Sequence, residues 1–452
     1  MHMIFARFCA AWFASLMIVS VGFTAPASVN RPNILFILAD DLGMNDLSCY
    51  GSEIPTPQID RLARNGLKLD QYYAASAVCT PSRFGLLTGR YPVRSQDRLL
   101  GALMFAEKRD NHRGIRSGEV TIAQVLQKGG YHTALIGKWH LGHGEPDFSP
   151  LKHGFEYFYG MNGGCIDYFT LQYGNVPDWV RDGKPLEEKG YSTDLLSDDA
   201  VRFLKSQRAD RPFFLYLPYN APHYGKGWDA ETKRFTNVLQ AKPEDRKALT
   251  SIPDANRREY AAMVAAMDRG VGRILDTLHA LKLEENTLVV FTSDNGGDTK
   301  FGASNKPFRG AKGQVFEGGI RVPCLVQWTG KIRAGVSSRQ PVCGIDFFPT
   351  FCKLAGFPST EFQLDGVEVC SVLLENKQFE RDLCWTQAKA IAFRRGPWKF
   401  VRTSQAEMLF NLEADPFERT DMASAEPARL KQLKEAYARI AATPGGAGSR
   451  PN

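Results

Sequence analysis

Three apolar segments, each followed by a short cluster of polar residues, constrain the fold of this chain more than any other feature. They span residues 33–39, 212–217 and 286–292, and residues with helical periodicity lie between them. Strands that are buried on both faces have this composition. Their alternation with helices predicts an α/β fold with a large, mostly parallel sheet sandwiched by helices. Ligands bind beyond the carboxyl ends of such strands, so the polar clusters should converge there.

The pattern changes toward the C-terminus. Residues 390–401 and 405–412 predict two strands joined by a turn, and residues 426–440 predict an amphipathic helix. We therefore expect a main domain over residues 28–345 and a smaller α+β subdomain with a small antiparallel sheet over residues 346–452. The composition, 43% apolar and 23% charged, is that of a globular protein. The formal charge of +7 comes from scattered Lys and Arg, which disfavours a nucleic-acid partner.

The first residues predict export. Residues 1–7 carry one arginine, residues 8–23 are almost wholly apolar, and Ala25-Pro26-Ala27 has the A-x-A spacing of a cleavage site. Residues 1–27 are thus predicted to be a signal peptide that directs the chain to the periplasm or the exterior. An uncleaved membrane anchor is the alternative, although the apolar run is short for a span of ~20 residues. No later stretch predicts a span, so none is expected in the mature chain.

Two of the polar clusters together offer oxygen ligands. Asp40 and Asp41 follow the first apolar segment, and Asp294 and Asn295 follow the third. Three carboxylates and an amide suit a hard divalent cation such as Ca²⁺ or Mg²⁺. The alternative is that both clusters are ordinary turns, in which Asp, Asn and Gly are common.

The pattern C-T-P-S-R-x-x-x-L-T-G-R begins at Cys79 and ends at Arg90. A lone buried cysteine is usually structural, but this combination resembles the formylglycine signature of the type I sulfatases, an arylsulfatase-like family of the alkaline phosphatase superfamily. The resemblance runs from about residue 32 to residue 421. It rests on further motifs in the same order: residues 130–142 (GYHTALIGKWHLG), 219–223 (YNAPH), 293–296 (SDNG), 310–313 (GAKG), 317–323 (EGGIRVP) and the pair Trp398-Lys399.

The resemblance implies an alkaline phosphatase-like fold with its catalytic domain over residues 28–345. It also implies that a formylglycine-generating enzyme oxidises Cys79 to an aldehyde during maturation. The hydrated aldehyde would be the nucleophile of a sulfuric ester hydrolase. One Ca²⁺ per chain would be bound by residue 79 and by the four oxygen ligands, Asp40, Asp41, Asp294 and Asn295.

The same resemblance assigns roles to five further residues. Lys138 and Lys312 would stabilise the sulfuryl oxygens, and Arg83 would hold the hydrate of residue 79. His223, alone or together with Lys312, would protonate the leaving oxygen. His140 would accept the second hydroxyl proton and so release sulfate.

The substrate is less constrained. Aromatic residues at 155–159 and a loop at 162–168 suit a sugar ring, which makes a sulfated carbohydrate or small molecule the expected substrate. His143, Asp167 and Trp228 are candidate contacts. The alternative is that these residues form a packed aromatic core. The motifs are similar to those of carbohydrate sulfatases and arylsulfatases alike.

Two other functions remain open on the sequence. One is a phosphodiester or phosphonate monoester hydrolase of the same superfamily, although such enzymes usually show more metal ligands. The other is a non-catalytic protein that binds sulfated glycans. The intact motif at Cys79, with both lysines and both histidines, favours catalysis over binding alone.

Overall fold

The computed structural model describes residues 31–442, so the predicted signal peptide over residues 1–27 lies outside the described part. Residues 31–442 belong to one compact unit. Its strands, in chain order, are β1 Asn33–Ala39, β2 Leu67–Leu69, β3 Tyr72–Tyr73, β4 His132–Lys138, β5 Tyr157–Met161, β6 Gln172–Tyr173, β7 Val176–Pro177, β8 Val180–Arg181, β9 Lys184–Pro185, β10 Phe213–Pro218, β11 Gly225–Asp229, β12 Arg234–Val238, β13 Thr287–Ser293, β14 Cys324–Gln327, β15 Val336–Ser338, β16 Val342–Cys343, β17 Asp382–Thr386, β18 Ile391–Arg395, β19 Trp398–Arg402 and β20 Glu407–Asn411.

The helices are α1 Ile59–Asn65, α2 Cys79–Thr88, α3 Ile122–Lys128, α4 Ser192–Lys205, α5 Pro243–Lys247, α6 Ala255–Ala280, α7 Glu317–Ile320, α8 Phe347–Ala355, α9 Cys370–Glu375 and α10 Pro427–Ala442. Among residues 31–442, no helix is both long and apolar enough to cross a lipid bilayer.

A ten-stranded sheet forms the centre, in the order β15-β2-β14-β13-β1-β10-β4-β5-β8-β9. The five middle strands, from β13 to β5, are parallel, and antiparallel pairings occur only toward the edges. The predicted mostly parallel α/β sheet is confirmed. Residues 34–39 of the central strand β1 are apolar because their side chains are buried on both faces: Leu35 and Ile37 pack with α4 and α6, and Phe36 packs with α8.

The C-terminal sheet is antiparallel, in the order β17-β18-β19-β20. The prediction of a small antiparallel sheet is confirmed. The prediction of one strand over residues 390–401 is wrong. Gly396 adopts φ 53°, and the chain turns there between β18 and β19. Glycine takes this left-handed backbone conformation without steric cost, which explains the hairpin.

Helix α2 begins at Cys79. Proline is tolerated in the first turn of a helix because its missing N–H would have no helical partner, so Pro81 does not delay the start. The helix ends at Gly89, which adopts φ 66° and donates its N–H to the Gly85 carbonyl. Cys79 is therefore the first helical residue.

Candidate active site

Asp40, Asp41, Asp294 and Asn295, which lie at the carboxyl ends of β1 and β13, form the floor of the site. Ala39 pairs with Ser293 in the parallel register, so the residues that follow each strand are neighbours. The Asp41 N–H donates to Asp294 Oδ1 at 3.2 Å, and Asn295 Nδ2 donates to Asp41 Oδ1 at 2.7 Å. The structure thus brings together all four of the predicted oxygen ligands.

These groups fit a bound cation. Asp40, Asp41, Asp294 and Asn295 are each at most 2% exposed. Among residues 31–442 the buried Asn295 Oδ1 finds no hydrogen-bond donor, and a buried acceptor without a partner is costly. A hard cation would satisfy this oxygen and the carboxylates together. Ligand atoms of Asp40, Asp41, Cys79 and His223 also lie within 4.8 Å of one another.

The carboxyl groups are electrostatically crowded. Burial raises the pKa of Asp41 to about 7; Lys312 opposes this shift, while the charges of Asp40 and Asp294 add to it. Burial also raises the pKa of Asp294, reinforced by Asp40. Burial acts in the same direction on Asp40, but Lys138, Arg83 and Lys312 outweigh it and lower the pKa of that carboxyl. Crowded carboxylates of this kind are what a divalent cation relieves.

Cys79 lies directly beside this floor. Its Sγ is 3.4 Å from Asp40 Oδ1 and 3.9 Å from Asp41 Oδ1, and the side chain is only 1% exposed. Burial, reinforced by Asp294, raises the pKa of the Cys79 thiol well above its usual value. A thiol in these surroundings is a poor thiolate nucleophile.

Three cations face the three carboxylates, so their formal charges cancel. Lys138 Nζ donates to Asp40 Oδ2 at 2.5 Å, and Lys312 Nζ donates to Asp41 Oδ2 at 2.6 Å. Arg83 donates to Asp294 Oδ2 through Nε and Nη2, at 3.0 and 2.8 Å. Among residues 31–442 no hydrogen bond joins Arg83 to Cys79. The observed contacts of Arg83 orient a carboxylate of the floor instead.

His223 is coupled to Lys312. Its Nδ1 lies 2.8 Å from the Tyr224 carbonyl, and its Nε2 lies 2.9 Å from Lys312 Nζ. A carbonyl only accepts hydrogen bonds, so Nδ1 carries the ring proton and Nε2 accepts from the lysine. Burial, together with Lys312 and Lys138, lowers the pKa of His223 well below its usual value. The transferable proton of this pair therefore resides on Lys312.

His140 has the opposite tautomer. Its Nε2 lies 2.9 Å from the Leu103 carbonyl and so carries the proton. Its Nδ1 is buried and finds no hydrogen-bond partner among residues 31–442, which leaves a free basic nitrogen. Burial and the charge of Lys138 lower the pKa of His140 well below its usual value. His140 also adopts φ 58°, an uncommon conformation that clusters at functional sites.

The three predicted substrate contacts differ in their surroundings. Asp167 accepts from the N–H groups of Phe169 and Thr170 and from Gln240 Nε2 at 2.6 Å, so its carboxylate orders its own loop. His143 lies 3.1 Å from Asn111 Oδ1 and stacks on Phe105. Trp228 projects from β11 and is 57% exposed.

Two supporting contacts of the site were missed in the sequence. Thr80 Oγ1 donates to the His140 carbonyl at 3.1 Å and accepts from the Leu103 N–H at 3.1 Å. It thereby connects α2 to the segment that orients His140. Thr80 lies within the motif at Cys79, so its position was a usable signal. The contact of His140 with the Leu103 carbonyl could not be predicted, because every residue has a backbone carbonyl and the sequence does not show which one is used.

Comparison with known proteins agrees with this geometry. The Sulfatase family model matches residues 32–357. Human N-acetylgalactosamine-6-sulfatase is 34% identical over 382 residues, which cover 80% of this chain and 69% of the relative. Human steryl-sulfatase is 35% identical over 424 residues, which cover 78% of this chain and 71% of the relative. The crystal structure of Ps i-CgsB in complex with k-i-k-neocarrahexaose superimposes with a TM-score of 0.82 and 34% identity, covering 93% of this chain and 95% of that one. The chain therefore belongs to the sulfatase family and is a type I sulfatase of the alkaline phosphatase superfamily, a sulfuric ester hydrolase.

Proposed function

We propose that this sulfatase hydrolyses a sulfate ester of a sulfated carbohydrate to an alcohol and inorganic sulfate, with a formylglycine at position 79 and one bound Ca²⁺. The observation that carries the proposal is the position of residue 79, buried within 4 Å of two carboxylates that also contact the two lysines. The carbohydrate is supported by the similarity to N-acetylgalactosamine-6-sulfatase and to the neocarrahexaose complex.

The proposed cation ligands are Asp40, Asp41, Asp294 and Asn295, together with residue 79. Three carboxylates already face three basic side chains in the site. A divalent cation would therefore leave the site positively charged, which favours an anionic sulfate ester. Its chemistry would be that of a Lewis acid that polarises the sulfuryl group.

The aldehyde hydrate would supply two hydroxyl groups on one carbon, one to attack sulfur and one to release sulfate. The side chains of this chain then perform the proton transfers. Lys312 and His223, joined at 2.9 Å, deliver a proton to the leaving oxygen. His140 accepts a proton at Nδ1, the nitrogen that has no other partner in the described residues. Lys138 contributes positive charge beside the non-bridging oxygens.

Burial of Cys79 also bears on maturation. The side chain is 1% exposed and lies between the first turn of α2 and the strand ends, so a converting enzyme would reach it most readily before the chain folds. We propose that a formylglycine-generating enzyme acts on the chain before this region closes. Export through the predicted signal peptide belongs to the same proposal.

Turnover of two small esters tests the function. The chain, co-expressed with a formylglycine-generating enzyme, should hydrolyse 4-nitrophenyl sulfate faster than bis(4-nitrophenyl) phosphate. The substitution Cys79→Ala should lower turnover by on the order of 10⁴-fold or more. Cys49→Ala, at a thiol remote from the site, is the matched control and should retain turnover. Preference for the phosphodiester would identify the alternative hydrolase, and equal turnover by Cys79→Ala would refute the nucleophile.

A further inference from the structure

The hairpin of β11 and β12 follows the site directly, since β11 begins two residues after His223. Tyr224, between them, contacts the His223 ring with ring centroids 4.0 Å apart and lies 5.5 Å from Lys312 Nζ. At ~3.3 Å per residue, β11 carries the chain ~10 Å from Gly225 to Trp228. The hairpin thus begins at the catalytic residues and extends away from them.

Along β11, Gly225 and Gly227 lie on one face of this hairpin, and Lys226 and Trp228 lie on the other. A Cβ at Gly225 would lie 2.1 Å from Gln240 Oε1, and one at Gly227 would lie 2.7 Å from Val238 Cγ2 and 3.1 Å from Asp167 Oδ2. The glycines therefore let the hairpin pack closely on the loop that Asp167 and Gln240 order. Lys226 and Trp228 consequently project from the opposite, outward face.

Cross-strand partners complete this outward face. Trp228 is paired with Phe235, and their rings meet edge to face with centroids 5.3 Å apart. Lys226 is paired with Asn237, and its Nζ donates to Asn237 Oδ1 at 3.2 Å. Trp228 and Phe235 are 57% and 37% exposed, an unusual position for two large aromatic side chains.

The face continues toward the catalytic residues through Tyr173. Lys226 Nζ lies 5.8 Å from the centre of the Tyr173 ring, and Tyr173 contacts Phe105 with centroids 5.2 Å apart. Lys226 also lies only two residues after Tyr224, whose ring contacts the His223 ring. Lys226 therefore lies at the rim of the catalytic site rather than on a remote surface.

We infer that the outward face of this hairpin, formed by Lys226, Trp228, Phe235 and Asn237, binds a second unit of a sulfated oligosaccharide whose sulfate ester occupies the catalytic site. The aromatic pair stacks on a sugar ring, as exposed aromatics with amphipathic neighbours do. Lys226 and Asn237 contact an anionic or hydroxyl group of the same unit. The inference rests on the proposed function and extends it to oligosaccharides in preference to small sulfate esters.

Inhibition by ligands of increasing length tests the inference. Sulfated mono- and hexasaccharides, including N-acetylgalactosamine 6-sulfate and k-i-k-neocarrahexaose, would compete with 4-nitrophenyl sulfate. We expect at least one hexasaccharide to inhibit tenfold or more tightly than its monosaccharide. Trp228→Ala and Lys226→Ala should each lower the ratio of the monosaccharide's inhibition constant to the hexasaccharide's inhibition constant at least threefold. Leu281→Ala and Lys184→Ala, exposed positions elsewhere, are the matched controls and should keep the ratio.

The outcomes separate the two proposals. Absence of all ester turnover would refute the proposed function, and binding of the same saccharides to the Cys79→Ala protein by calorimetry would still report on the hairpin. A ratio near one for every saccharide in the native protein would overturn the inference. So would an unchanged ratio in both Trp228→Ala and Lys226→Ala, provided that thermal melting shows both variants to be folded.

Discussion

Two of the buried clusters of charged side chains among residues 31–442 differ in how their carboxylates are balanced. In the catalytic site, Asn295 Oδ1 and His140 Nδ1 lack partners among the described residues. In the second cluster, which joins the C-terminal sheet to α7, Lys399 Nζ lies 2.8 Å from Glu317 Oε1 and 2.9 Å from Glu418 Oε1, an oxygen that otherwise has no hydrogen-bond partner among the described residues. Removing Lys399 would leave two buried carboxylates uncompensated, which is costly, whereas the unpaired acceptors beside the crowded catalytic carboxylates indicate a site for ligands.

The pKa values of the buried carboxyl groups also differ between the two clusters. Burial would raise the pKa of Glu317, but Lys399, Arg321 and Arg394 outweigh it and lower that pKa to about 2. In the catalytic site, burial and neighbouring carboxylates raise the pKa of Asp41 to about 7. The cations around Glu317 thus outweigh its burial, whereas those around Asp41 do not; burial and Glu317 also raise the pKa of Glu418, which Lys399 opposes. Substitutions in the two clusters should therefore affect different properties.

The largest effects should be on turnover, from the histidines of the catalytic site. His223→Ala and His140→Ala each remove a proton-transfer group, so we expect kcat to fall by ~10²–10⁴-fold. Thermal melting should show little change, and kcat for 4-nitrophenyl sulfate is the measurement. The control is His279→Ala, on the exposed end of α6. If neither catalytic variant lost more than a few-fold in kcat, the assigned roles would be wrong.

Lys399→Met should instead lower stability. It leaves Glu317 and Glu418 buried without their shared cation, which typically costs about 3–5 kcal/mol in the free energy of unfolding. Urea unfolding is the measurement. Adding Glu317→Gln to Lys399→Met should recover part of the loss, because one of the unpaired charges is removed. A loss below 1 kcal/mol would show that this cluster contributes little to the packing of the C-terminal sheet against α7.

These two clusters also show what the sequence can and cannot predict. Asp40, Asp41 and Asp294 follow apolar strands, and parallel strands bring their ends together, so their convergence was predictable. Glu317 and Lys399 were both recognised as motif residues, yet nothing in the chain indicates that they pair across 82 positions. Tertiary packing alone sets that contact.

Other differences have local causes. The turn at Gly396 did have a usable signal, because Gly396-Pro397 is a dipeptide typical of turns. Asp167 has the chemistry of a sugar ligand, but backbone N–H groups two and three residues later occupy it, a local contact that competes with ligand binding. The domain boundary near residue 345 stays a prediction. So do the individual catalytic roles.

Acid should destabilise the C-terminal cluster. The folded pKa of Glu317, about 2, lies below its usual 4.5, so its ionised form stabilises the fold above pH 4.5. That contribution, about 3 kcal/mol, is lost as the pH falls from 4.5 toward 2. Stability measured by urea unfolding should therefore decline less steeply over this range in Glu317→Gln than in the native chain. Parallel curves would contradict the assignment of this carboxylate.

The smallest of these effects should come from the cation. Ca²⁺ at a hundredfold excess over its Kd should add about 2.7 kcal/mol to the free energy of unfolding, seen as a higher melting temperature that EDTA reverses. Asn295→Ala should reduce the response because it removes the unpaired oxygen. Lys399→Met should preserve the response, since the second cluster takes no part in it. Equal responses in Asn295→Ala and native protein would argue against Asn295 as a ligand.

The chemical state of residue 79 tests the central claim most directly. Peptide mass spectrometry of active protein should show that this residue has lost the mass difference between a CH₂SH and a CHO group. The modified fraction should rise in proportion to specific activity across preparations made with and without a formylglycine-generating enzyme. Full activity in protein whose residue 79 is an unmodified cysteine would contradict the account.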